Sequence, residues 1–150
     1  MKVVLDADVV VAAVRSRRGA SAAWLRAGLR RQVEMLVSVP LMLQYEAAVL
    51  RPEHQAASRL TPVELGRVLD AVAAAATPVI ISYLWRPVLR DPDDELVLET
   101  AVNGGADLLL TFNRRDFKGA ARFEVEVEVE VEVEVGDPGP AWRDWTEGRA

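Results

Sequence analysis

The chain has 150 residues, 51% of them hydrophobic, enough for one domain with a real core and little room for a second. It contains no cysteine, so disulfides and thiolate metal sites are excluded and metal chemistry would fall to hard oxygen donors. The formal charge of −5 is local: residues 124–135 carry six Glu and no base, which leaves 17 acids against 18 Lys and Arg elsewhere, so acidity excludes no class of partner.

Lys2 to Leu5 predicts a strand ending at Asp6, and VVVAAVRS continues as a buried helix. RGAS then supplies a break and a cap before the helix AAWLRAGLRR. Val33 to Ser38 predicts a second strand, Pro40 opens a helix through about Leu50, and RPEH marks a turn near Pro52. Thr61 and Glu64, with Pro62 between them, form a capping box for a helix over Pro62 to Ala76. Val79 to Ser82 predicts a short third strand. Asp91, Pro92 and Asp93 cap a helix from about Asp94 to Asn103, Gly104 and Gly105 stop it, and Asp107 to Thr111 is a fourth strand. Strands joined through helices imply an α/β fold with a central parallel sheet covered on both faces. Met1 to Val14 is apolar but broken by Asp6 and Asp8, and no apolar run reaches membrane-spanning length, so a soluble cytoplasmic protein is expected.

In such sheets ligands gather outside the carboxyl ends of the strands. Asp6 ends the first strand and Asp116 follows the fourth, while Glu46 and Asp94 project from helices that can lean over the same edge. Gathered carboxylates repel one another, and a hard divalent cation relieves that repulsion. A Mg²⁺ or Mn²⁺ hydrolase of phosphodiesters follows as the leading reading. Acids around Pro92 also serve as ordinary caps, and the lone His54 reads as surface decoration. Arg15, Arg17, Arg18, Arg114 and Arg115 fall near the acids and suit an RNA backbone as well as they suit a solvated loop. The four Trp read as packing or interface residues.

VVLDADVVVAAVRSRRGAS, LMLQYEAAVLRPEH and RDPDDELVLETAVNGGADLLLTFNRRDF occur in an order and spacing that resembles the PIN-domain family, in particular the VapC-like toxin ribonucleases of toxin–antitoxin pairs. The resemblance covers residues 1 to about 123. It implies a three-layer α/β/α fold, Mg²⁺ or Mn²⁺ dependence, endonucleolytic RNA cleavage and a cognate antitoxin protein as partner. Asp6, Glu46 and Asp94 carry over as metal ligands, with Asp94 chosen because it stands eleven residues before Gly105. Asn113 stands where the family often has Asp, and Asp116, three residues on, is expected to take over as the fourth catalytic acid. Asp8 departs from the usual Asn or Ser and adds an acid.

The Glu-Val tract puts every Val on one face and every Glu on the other, and its twelve residues would span roughly 40 Å as a strand, twice an ordinary one. It reads as an expanded final strand after a nuclease domain of residues 1–123, with residues 136–150 as a tail or short helix. Strand pairing between two copies would make a homodimer. The alternative to a toxin nuclease is a catalytically weakened PIN-fold module that binds RNA or protein.

Overall fold

The computed structural model describes residues 1–82, 92–113 and 134–149. Its strands are β1 (Lys2–Leu5), β2 (Glu34–Val37), β3 (Thr77–Pro78), β4 (Leu108–Leu110) and β5 (Glu134–Gly136). Its helices are α1 (Ala7–Arg15), α2 (Ala20–Leu29), α3 (Val39–Val49), α4 (Pro52–Ser58), α5 (Pro62–Ala75), α6 (Pro92–Gly104) and α7 (Pro138–Arg149). The strands lie in the order β3-β2-β1-β4-β5, and every neighbouring pair is parallel. This is the α/β architecture, a parallel sheet flanked by helices, that strand–helix alternation requires.

Central strands of such a sheet are covered on both faces, which is why β1 and β4 are continuous apolar runs rather than alternating ones. Val3, Val4, Leu5, Leu109 and Leu110 are each almost completely buried. The chain fills the sheet outward from β1 to β3 on one side and then crosses to β4 and β5 on the other. The strand order therefore reverses at β1 and β4, and a crevice opens beyond their carboxyl ends.

Local chemistry fixes the helix ends. Thr61 Oγ1 accepts from the Glu64 N–H, and the Glu64 carboxylate accepts from the Thr61 N–H, each at 3.1 Å. These bonds hold Glu64 below its ordinary pKa. Ser38 caps α3 and also meets Thr100 Oγ1 of α6 at 2.7 Å, tying two site-bearing helices together. Gly105 ends α6 with φ +65°, a backbone conformation natural to glycine, and a Cβ on Gly104 would lie 2.8 Å from the Leu36 side chain.

Three expectations shift. The segment read as a turn at Pro52 is the helix α4, with Pro52 opening it and Arg59 ending it at φ 59°. The third strand comes earlier, at Thr77–Pro78, because α5 runs to Ala75 and the chain pairs with Leu36 and Val37 directly after it. Pro78 is tolerated there because β3 is an edge strand. The helix expected from about Asp94 begins sooner, since α6 starts at Pro92. Of the Glu-Val tract, residues 124–133 lie outside the described residues, and its last two residues enter β5. After it α7 packs on α2: Trp24 is buried edge-on against Trp142, with ring centroids 5.2 Å apart, and Trp145 lies 5.4 Å away. The Trp24 indole N–H donates to the Pro138 carbonyl at 3.0 Å.

Candidate metal centre

Asp6 is the residue at which β1 gives way to α1. Its N–H donates to the Leu110 carbonyl at 2.9 Å, so the end of β1 is stitched to the end of β4. One carboxylate oxygen accepts from the Ala7 N–H at 2.7 Å and caps α1. The other accepts from the Thr111 hydroxyl at 2.8 Å. The side chain is 5% exposed. A buried carboxylate needs such partners to stay charged, and here they also lock its rotamer.

Asp8 follows in the first turn of α1. Its Oδ2 accepts from the Phe112 N–H at 3.1 Å and from the Asn113 side-chain amide at 3.2 Å. Its Oδ1 is buried with no hydrogen-bond partner. Burial first, and then repulsion from Asp6, push the Asp8 carboxyl up to about 7. Asp8, pressed against its charge by burial and by Asp6 on the crevice of a parallel sheet, is a group whose charge a nearby cation would relieve. The Asp6 charge reaches Tyr45 as well: burial and Asp6 together raise that phenol well above its ordinary value, and its hydroxyl donates to the Leu5 carbonyl.

A cavity of about 480 Å³ opens beside Asp8. From α1 it is lined by Asp8, Val11, Ala12 and Arg15, which recur at helical spacing and so share one face. From α3 comes Gln44, whose amide nitrogen donates to the Asp93 carbonyl at 3.3 Å and whose Oε1 is buried without a partner. Arg51 and His54 line the same cavity, as do Asp93 and Phe112.

Of the expected acids, Asp6 and Glu46 have described side chains, and neither lines the cavity itself. Asp6 sits at the crevice with Asp8 beside it. Glu46 is exposed and does not line the cavity, because two residues of helix turn it about 200° from Gln44. The α3 residue turned toward the cavity is Gln44. Asp94 lies in the first turn of α6, next to Asp93, but its side chain is outside the described set, and Asp116 lies outside the described residues altogether. The Asn113 side-chain amide donates to Asp8 Oδ2. Arg15 lines the cavity, whereas Arg17 lines a separate groove between α1, α2 and α5, and Arg114 and Arg115 are outside the described residues. The sequence reading passed over Gln44 and Arg51 and set His54 aside. Their spacing from one another, three to ten residues around a helix junction, was the available signal.

Among the described residues, no three His, Cys, Asp or Glu gather closely enough to hold a metal ion by themselves. The donors that are present, two carboxylates and an amide oxygen with two orphaned oxygen atoms among them, are nevertheless hard oxygen ligands of the kind Mg²⁺ and Mn²⁺ take.

A parallel α/β sheet with an acidic crevice at its switch point locates a ligand site without fixing the substrate. The family model for the PIN domain matches residues 2–115, most of the chain, and the protein belongs to the PIN-domain family. Nuclease-type hydrolysis, typically with divalent metal ions, is the general activity of that family. Comparison with curated proteins returned no match. No helix among the described residues is long and apolar enough to cross a membrane.

Proposed function

We propose that the chain is a metal-dependent endoribonuclease that takes Mg²⁺ or Mn²⁺ at Asp6 and Asp8, with Gln44 Oε1 as a neutral donor and Asp94 at the start of α6 completing the set. The observation that carries this reading is the Asp6–Asp8 pair: one acid fixed by Ala7 and Thr111, the other left with a buried, unpartnered oxygen beside it. Bound there, the cation would supply charge neutralisation at a phosphoryl oxygen and a more acidic water. The chain's own part is positional. The Thr111 hydroxyl and the Ala7 N–H hold Asp6 in one orientation, and the Phe112 N–H and the Asn113 amide hold Asp8. Glu46 stays outside this centre.

The toxin role, with a cognate antitoxin covering the cavity and a homodimer as the working form, is the setting we propose, supported by the order of motifs over residues 1–123. Against full activity stands one observation: the α3 side chain facing the cavity is an amide, not an acid. This favours, as a second reading, a weakened module that binds RNA without cutting it.

Cleavage of a mixed pool of small RNAs with Mn²⁺ separates the two. The nuclease reading predicts products from the parent chain and a loss of roughly a hundredfold or more in Asp6→Asn at unchanged fold. RNA retention without products in either protein would establish the binding module.

A further inference from the structure

We infer that Arg15, Arg51 and His54 form a phosphate subsite for RNA, adjacent to the acidic centre and distinct from it; the inference rests on the nuclease reading for its substrate but not for its test. Among the described residues, three buried side-chain atoms lack a hydrogen-bond partner, namely Asp8 Oδ1, Gln44 Oε1 and His54 Nδ1. All three residues line the same cavity. Each such atom ordinarily costs a folded chain stability, so three around one space point to a polar ligand in it.

The cavity is divided by charge along its helices. On α1, Asp8 is in the first turn and Arg15 in the last, on the same face and about 10 Å apart along the axis. The second wall repeats the order. Gln44, bonded to the Asp93 carbonyl, lies toward the start of α6, and Arg51 follows seven residues later, just past the end of α3. Both helices leave the carboxyl ends of parallel strands, β1 and β2, so their basic ends lie on the same side of the acids. The junction of α3 with α4, where Pro52 opens the second helix, places His54 half-buried in the wall next to Arg51.

Arg15 and Arg51 are exposed at the cavity wall, and among the described residues neither guanidinium meets an ion-pair or hydrogen-bond partner, which leaves both forks open to an anion. About two helical turns separate the Arg15 backbone from that of Asp8, which leaves room for a second phosphate beside the one at the acids. It is a neighbouring phosphate of the same strand, with His54 Nδ1 completing its contacts. A cavity of about 480 Å³ is of the size that encloses a small ligand such as a single nucleotide. The enzyme would thus favour a strand with a phosphate flanking the cut over a short fragment that lacks one.

The chain has one histidine, so His54 gives an unambiguous imidazole signal in NMR. The full chain, without divalent metal and at constant pH, is titrated with inorganic phosphate, with a nucleoside 5′-monophosphate and with the nucleoside alone. The expected result is a saturable shift of the His54 resonances with both phosphates and none with the nucleoside. Affinity should fall about tenfold or more in Arg15→Gln with Arg51→Gln, the fold being checked by the amide spectrum, and should persist in Asp6→Asn. No shift, an equal shift with the nucleoside, or an unchanged affinity in the double Arg variant would overturn the subsite. Because nothing is cleaved, a subsite that binds phosphate in a chain that cuts no RNA would sink the nuclease reading alone.

Discussion

The Trp cluster on α2 and α7 and the crevice at the ends of β1 and β4 are both partly buried, yet they treat polar atoms in opposite ways. At the cluster, Trp24 is 1% exposed, its rings meet Trp142 and Trp145 at close range, and its N–H has a carbonyl partner. At the crevice, Asp8, Gln44 and His54 each keep a buried atom without a partner, and Asp8 is pushed up to about 7. Satisfied groups close a structure; unsatisfied groups around an open cavity hold it ready for a ligand. The first region explains stability and the second explains what the chain can bind.

That division can be broken from either side. The largest effect is expected at the cluster: Trp24→Ala removes a fully buried ring and a hydrogen bond and should cost about 3–5 kcal/mol in denaturant unfolding. Metal affinity of the molecules that remain folded should not change. A selective loss of metal binding would show that the two regions are coupled.

A smaller and opposite effect is expected at Asp8. Its carboxyl ionises near the model-peptide value of 3.8 when unfolded and near 7 when folded, so the folded state carries no penalty below pH 4. As pH rises from there through about 7 the penalty accumulates, and above that it is constant. Without metal, Asp8→Asn should therefore be more stable than the parent at pH 8, on the order of 1 kcal/mol once solvent screening at this half-open site is allowed for, and no different at pH 3.5. Asn keeps an oxygen to accept from Phe112. Thermal unfolding at the two pH values checks this, and a difference independent of pH would contradict it.

Much of this was legible in the sequence. The Thr61–Glu64 box marked α5, the apolar run before Asp6 marked β1, and alternation of elements gave the parallel sheet. Asp6 was legible as a candidate because it closes the first strand, although the structure also gives it the role of capping α1. Glu46 and Gln44 were not separable, because α3 is apolar nearly all round: Val39 and Leu43 are 74% and 60% exposed, so periodicity gave no phase. His54 reads as surface decoration from sequence because a turn residue has no assigned face, and it gains one only where Pro52 opens α4. Asp8 was visible as an extra acid, but only the approach of β4 to β1 showed that it is crowded by Asp6 and braced by Asn113.

The measurement that tests the central claim most directly is Mn²⁺ binding by electron paramagnetic resonance to the parent chain, Asp8→Asn and Glu46→Gln. The account predicts that the parent binds, that Asp8→Asn weakens binding by about tenfold or more, and that Glu46→Gln matches the parent. Loss of binding in Glu46→Gln with Asp8→Asn unaffected would contradict it.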